Sequence, residues 1–388
     1  MKNKSLKRLG LITNNTLRQI LISVFSMVIP FLVIHFSSKE IWGSFVGFFL
    51  YCLFAIQVIN WGNKEYLLRK FSENPREIAF RFSENMATRF PLVILFSLIG
   101  LVLFPISFGF WILIWLLGRY FMHSTEVLLF YEKKFNASIL IELISFGFFA
   151  VFFGLLKNSI TVYWILVIFS LYQFLKGILY LVLFKNWVLI KNLSFEINFF
   201  KTALPFFILS ILGFLGSKID LYIVESLESK TITAEYQIIN SLLVFCMSIT
   251  ALLYAPFTKL LYRNTDQIVD KTKNILAYIG LIIVPVSLLI IYFILELYLK
   301  VNLEFYFYLI AFAYVYPCYV YGLDIINLFK RHKETSVVFI LTTGVVLNSL
   351  LSACFLYLDY GIVGALSGSA IAQLVILGLI KLKNDKIN

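Results

Sequence analysis

This sequence is poor in charge. Of its 388 residues only 14% are Asp, Glu, Lys or Arg, against about 25% in an ordinary soluble domain. Hydrophobic residues make up 61% and aromatics 18%, and mean hydropathy is +0.90. So apolar a chain excludes a soluble globular protein and reads as an all-α polytopic membrane protein. Room for a soluble module is also missing. The longest stretch without a spanning segment runs from Gly62 to Arg89, too short for an ATPase or transferase domain.

Cysteine is scarce as well. Cys52, Cys246, Cys318 and Cys354 stand singly within apolar segments, without metal or disulfide spacing, and read as small core residues. No HExxH, Walker, GxSxG or CxxC pattern is present, so nothing in the sequence supports an enzyme, a metal centre or a bound cofactor. A cleavable signal peptide is not expected either. The apolar run 17–36 behind the basic amino end is too long for an h-region, and no small-x-small site follows it.

What is present is a series of long apolar runs. A membrane-spanning helix needs about 20 such residues, and twelve stretches qualify: 17–36, 41–61, 90–107, 110–131, 137–156, 160–184, 202–224, 234–258, 274–295, 305–328, 335–358 and 361–381. The connections between them sort the cations. Of 33 Lys and Arg, 26 fall on the side of the amino end, and Lys39, Lys157, Lys230 and Lys300 fall on the other. Arg119, Lys176 and Lys218 remain inside helices. By the positive-inside rule both termini are cytoplasmic, and the net charge of +12 reflects topology, not nucleic-acid binding.

The loops beyond the opposite face are too short for a catalytic domain. The long basic loop 62–89 reads either as a short amphipathic surface helix or as a solvated loop. Each half of the chain holds six helices with a wider inner loop after its second, a weak internal symmetry of the kind transporters show. The expected lobes are 1–196 and 197–388.

Ionisable groups within hydrocarbon are costly, and a function is the default hypothesis for them. Arg119, His123 and Glu126 fall at i, i+4 and i+7 on one helix face. They read as a cavity stripe, or as an Arg119–Glu126 or Arg119–His123 pair that fixes helix contacts. His123, with an unperturbed pKa of about 6.5, is a candidate proton carrier or a satisfied interior histidine. Lys176, one turn after Gln173, reaches either a headgroup or the cytoplasmic interface. Glu142 is its candidate ion partner or a coupling carboxylate. Lys218 and Asp220, two residues apart, point to different faces. Lys218 is a candidate substrate cation, or snorkels to the outer interface, and Asp220 is a candidate site for a coupling ion or for a partner on the first helix. Arg18, at the inner end of the first helix, joins Arg119, Lys176 and Lys218 in the substrate-binding set. Glu126, Glu142, Asp220 and His123 form the ion-coupling set.

Asp324 reads as a cap or as a partner of Lys330 or Arg331. Pro30, Pro205, Pro256, Pro285 and Pro317 are bend points. Gly364 and Gly368 form a GxxxG, explained by close helix packing.

The stretches ALPFFILSILGFLGSKIDLYIV from Ala203, AEYQIINSLLVF from Ala234 and LYAPFTKLL from Leu253 resemble the seventh and eighth helices of the O-antigen and polysaccharide flippases (Wzx type). IWGSFVGFFLYCLFAIQVINWGNKEYLLRKFSEN and DYGIVGALSGSAIAQLVI resemble their second and final helices. These flippases belong to the superfamily of multidrug, oligosaccharidyl-lipid and polysaccharide exporters. The resemblance implies two six-helix lobes (MATE-like) around a central cavity working by alternating access. The cargo would be a polyprenyl-diphosphate-linked oligosaccharide, an O-antigen or capsule repeat unit, carried to the outer leaflet of a bacterial inner membrane. Implied partners are that lipid-linked oligosaccharide, membrane lipids, a polysaccharide polymerase and a chain-length regulator, with no nucleic acid and with H+ or Na+ as coupling ion. Two alternatives stay open: a membrane polysaccharide polymerase or ligase, and an ion-coupled multidrug extruder of the same superfamily.

Overall fold

A chain with this hydropathy must satisfy its backbone hydrogen bonds within each segment, which leaves helices as the available element. The computed structural model describes residues 2–189, 194–254 and 266–385, and among these every regular element is helical. Twelve helices are long and apolar enough to cross a membrane, and all twelve expected segments are found. Pro256 and the cations Lys191, Lys259 and Arg263 lie outside the described residues.

The chain divides into two compact units, residues 1–211 and 212–388. The border falls inside a continuous helix, Leu204–Leu227, whereas the sequence placed the lobe boundary at 196/197.

In the first unit, α1 (Lys2–Phe36) and α2 (Lys39–Asn60) are followed by the short α3 (Asn63–Glu73). Then come α4 (Ile78–Leu103), α5 (Ile106–Glu132), α6 (Phe135–Leu156) and α7 (Val162–Leu183). Local chemistry sets these limits. Ser38 Oγ accepts from the Ile41 amide at 3.2 Å and opens α2, and Thr161 Oγ1 caps α7 in the same way. Trp61 and Gly62 take successive left-handed conformations (φ 44° and 66°), so that α3 leaves α2 at a sharp angle.

The segment 62–89 resolves in favour of a short amphipathic helix, α3. Asn63, Tyr66, Leu67 and Phe71 recur at helical spacing and are buried. Tyr66, Leu67 and Phe71 join Phe82, Val127, Leu128, Phe184 and Phe199 in one core. The rest of the segment is the start of α4. Glu196, in the connection that follows α7, is tied to the same surface: its amide donates to Thr88 Oγ1 at 2.9 Å, and Tyr66 Oη donates to its carboxylate at 3.0 Å.

The crossing of α5 and α7 positions the interior ionisable groups. A Cβ on Gly118 would lie 2.4 Å from the Gln173 carbonyl oxygen, and one on Gly177 would lie 2.3 Å from that of Gly118. The two backbones touch where only glycine fits. Arg119 follows one of these glycines and Lys176 precedes the other.

After the short α8 (Asn198–Thr202), α9 (Leu204–Leu227) leads into the second unit. That unit contains α10 (Lys230–Tyr254), α11 (Asp266–Ile294), α12 (Phe305–Lys330), α13 (Glu334–Tyr357) and α14 (Gly361–Asp385). Pro285 and Pro317 lie within α11 and α12, as Pro30 and Pro91 lie within α1 and α4. The α13–α14 crossing confirms the packing role of GxxxG. A Cβ on Gly368 would come 2.5 Å from the Ser352 amide nitrogen, and one on Gly364 would come 2.9 Å from Phe355 Cβ. Cys52 and Cys246 are buried as expected. Cys354 is exposed, which corrects its assignment to the core.

Candidate functional site

α5 carries the polar stripe, and its neighbours decide which of its members are neutralised. Glu126 gathers three groups: Arg18 from α1 at 3.8 Å, Lys64 from α3 at 3.4 Å and His123 Nδ1 at 3.6 Å. The Lys64 ammonium also stands over the Phe130 ring at 4.1 Å. Glu142 on α6 is paired with Lys176 on α7, both side chains being almost fully buried. Tyr180 Oη donates to Glu142 at 3.2 Å and also shares a hydrogen bond with Ser138.

Arg119 is left over. Its half-buried guanidinium makes no hydrogen bond or ion pair among the described residues. It lies within electrostatic reach of Glu142 and Glu126 without touching either. The expected Arg119–Glu126 and Arg119–His123 pairs are not formed, because Arg18 and Lys64 already occupy that carboxylate. Around Glu126 and Glu142 stand four cations (Arg18, Lys64, Arg119 and Lys176), and the one left without a carboxylate is on α5.

Beside this cluster is a polar pocket of about 160 Å³, bordered by Gln57, Asn60, Asn63, His123, Glu126 and Ser210. Asn63 Nδ2 reaches the His123 carbonyl at 3.5 Å, and Ser210 Oγ donates to Gln57 Oε1 at 3.2 Å.

In the second unit Asp220 is fully buried. Oδ2 accepts from Tyr236 Oη at 2.6 Å, Ser369 Oγ at 2.9 Å and Asn240 Nδ2 at 3.3 Å. Oδ1 accepts from the Leu221 amide at 2.9 Å. The network continues to Asn348, which accepts from Ser369 at 3.0 Å and from Ser352 at 2.9 Å. One carboxylate thus ties α9, α10, α13 and α14 together. Lys218 donates to Asn240 Oδ1 at 2.6 Å, so it turns into the unit instead of snorkelling outward. Asp324 is held bidentately by Lys273 on α11, at 2.7 and 2.9 Å, a partner that the sequence reading did not consider.

One interior cation escaped the sequence reading altogether. Arg89, at the end of the basic loop expected over 62–89, is completely buried on α4. It donates to Asn85 Oδ1 at 2.9 Å, to Ser124 Oγ at 2.8 Å and to the Ile59 carbonyl at 3.4 Å, with its guanidinium over the Tyr120 ring. The available signal was its i, i+4 relation to Asn85 at the start of an apolar run.

Among solved structures, a mutant of the Vibrio cholerae MATE transporter VcmN matches with TM-score 0.63 and 13% identity, covering 100% of this chain and 97% of that one. The eukaryotic MATE transporter AtDTX14 matches with TM-score 0.61 and 12% identity, over 97% of this chain and 94% of that one. An outward-facing MATE-family multidrug resistance transporter of the MOP superfamily matches with TM-score 0.59 and 12% identity, over 98% and 94%. No protein-family model matches the chain. No curated protein sequence matches it either. The chain is a membrane protein whose fold, over its whole length, is that of the MATE transporters of the MOP superfamily.

Proposed function

We propose that this protein is a flippase that moves a polyprenyl-diphosphate-linked oligosaccharide, such as an O-antigen or capsule repeat unit, from the inner to the outer leaflet of a bacterial inner membrane by alternating access. The fold supports a transporter. The observation that carries the choice of cargo is Arg119, a half-buried guanidinium with no hydrogen bond or ion pair among the described residues. A diphosphate cannot enter hydrocarbon unsolvated, and an unspent guanidinium is the group best shaped to receive it bidentately.

The interior carboxylates of the first unit argue against a cationic drug as cargo, because Glu126 and Glu142 are already engaged by cations. The Lys176–Glu142 pair adds a second element to the reading. An arriving phosphate competes with Glu142 for Lys176, which frees a carboxylate inside the lobe and links cargo binding to a change of charge there. Asp220, with its hydroxyl and amide donors, is the coupling position of the second unit, for H+ or Na+. Both termini lie in the cytoplasm on this reading.

The test is genetic and biochemical. Cells lacking the protein are expected to hold lipid-linked repeat units on the cytoplasmic side, and Arg119→Ala, produced at normal levels, is expected to lose surface polysaccharide where Arg119→Lys keeps part of it. Normal surface glycan in the deletion strain, with no second exporter, overturns the reading. Increased accumulation of cationic drugs in that strain would replace it by the multidrug alternative.

A further inference from the structure

The polar pocket beside His123 has a composition that the surplus charge on α5 does not explain. Lys64 and the exposed Glu65 border it together with Glu126, and Arg18 reaches Glu126. Two cations and two carboxylates cancel, so the pocket offers an anion no net attraction. Its unspent groups are neutral. Asn60 Oδ1, Asn63 Oδ1 and His123 Nε2 are buried without a hydrogen-bond partner among the described residues, and the Asn63 side chain belongs to a residue only 2% exposed. Leaving such atoms unpaired is costly, so their hydrogen bonds belong to something that enters the pocket.

The two amide carbonyl oxygens accept, and the imidazole Nε2 accepts or donates according to its tautomer. Vicinal hydroxyl groups, each both donor and acceptor, are the chemistry that satisfies such a mixture at once. A cavity of about 160 Å³ is far larger than the roughly 10–15 Å³ that a single water needs by the same measure, which leaves room for a sugar ring. Position adds a further constraint. His123 lies one turn beyond Arg119 on α5, ~6 Å along the helix axis at ~1.5 Å per residue. A phosphate at Arg119 and a sugar bonded to it would therefore occupy adjacent places on one helix face.

We infer that this pocket is the subsite for a single neutral sugar ring, the one attached to the diphosphate of the cargo, with Asn60, Asn63 and His123 reading its hydroxyl groups. The assignment rests on the flippase reading and gives it a specificity element. Arg119 holds the phosphate irrespective of the glycan, while the pocket recognises the first sugar.

The experiment uses the full-length protein in lipid nanodiscs and two probes: polyprenyl diphosphate alone, and the same lipid carrying one N-acetylhexosamine. Asn63→Leu is expected to weaken binding of the sugar-bearing lipid about tenfold, the loss of one or two hydrogen bonds, and to leave the bare diphosphate lipid unchanged. Asn60→Leu, at a less buried position, gives the same selective loss and guards against misfolding of the first variant, with thermal unfolding of both recorded. Equal weakening for the two lipids, or no weakening in well-folded variants, overturns the subsite while the flippase reading stands. Failure of the unaltered protein to bind either lipid overturns the flippase reading and the subsite with it.

Discussion

Lys218 reaches Asp220 only through Asn240. The lysine donates to Asn240 Oδ1 at 2.6 Å, and the amide nitrogen of the same side chain donates to Asp220 Oδ2 at 3.3 Å. Asn240 thus joins the two groups, passing a polarised hydrogen bond from cation to carboxylate. Two residues apart on α9, the charged groups cannot meet directly, and α10 supplies the bridge.

This bridge has a measurable consequence. Asn240→Leu removes a donor from Asp220 and an acceptor from Lys218 in one step and leaves both buried charges short of a partner. The expected loss is about 2–4 kcal/mol, read as a lower midpoint of thermal unfolding in detergent. Asn240→Asp is expected to be better tolerated at low pH than at high pH, because an ionised second carboxylate beside Asp220 is repelled and a protonated one is not. An Asn240→Leu variant with the unfolding midpoint of the unaltered protein would show that the bridge contributes nothing.

The Lys176–Glu142 pair predicts a different pattern. Single variants Lys176→Met and Glu142→Leu each strand a partner in the interior of the first unit, at a cost of about 3–5 kcal/mol. The double variant Lys176→Met/Glu142→Leu strands neither. It is expected to recover most of the thermal stability, giving a coupling energy of roughly 1–3 kcal/mol in the double-mutant cycle. If the pair also exchanges partners during transport, the double variant folds but does not restore surface polysaccharide to a deletion strain. Additive single effects in the cycle would rule out a direct pair.

How far the sequence carried these conclusions depends on the kind of signal. Hydropathy placed all twelve spans because each helix must solvate its own backbone in lipid, a constraint that acts segment by segment. The i, i+4, i+7 stripe of Arg119, His123 and Glu126 was legible for the same reason, since one helix carries it. The partners were not. That Glu126 would be claimed by Arg18 and Lys64, leaving Arg119 unspent, depends on α1 and α3 arriving at α5, and pattern along the chain does not encode arrivals. Arg89 shows the converse error. Its charge assigned it to a loop, yet Asn85, Ser124 and the Ile59 carbonyl supply enough acceptors to hold a guanidinium inside. The α5–α7 crossing was equally hidden, because Gly118 and Gly177 are single glycines in separate helices and form no motif.

Glycines that look alike in sequence are expected to respond in opposite directions. Gly118 and Gly368 stand where a Cβ would lie 2.4–2.5 Å from the backbone of a neighbouring helix. Gly118→Ala must separate α5 from α7 and is expected to lower the unfolding midpoint markedly, with a loss of transport because Arg119 and Lys176 flank that contact. Gly368→Ala is expected to destabilise the α13–α14 crossing similarly. Gly213, within α9, has nothing within 4 Å of its Cβ position. Gly213→Ala is expected to stabilise by about 0.5–1 kcal/mol through helix propensity. Thermal unfolding of the three variants side by side checks the order.

The orientation of the chain supplies the last prediction. On the proposed reading the 26-to-4 division of Lys and Arg puts both termini in the cytoplasm, the side from which the cargo is loaded. Reporter fusions at the carboxyl terminus are expected to be active only when the reporter works in the cytoplasm. Fusions after Lys157 or Lys230 are expected to be active only with a periplasmic reporter. Removing the positive charge of Lys64, Arg69 and Lys70 together weakens the bias locally without inverting the whole chain, because the remaining inner loops retain their cations. A carboxyl-terminal fusion active only in the periplasm would invert the topology. The pocket beside His123 would then open toward the wrong leaflet to receive a cargo assembled in the cytoplasm, so this measurement also bears on the proposed direction of transport.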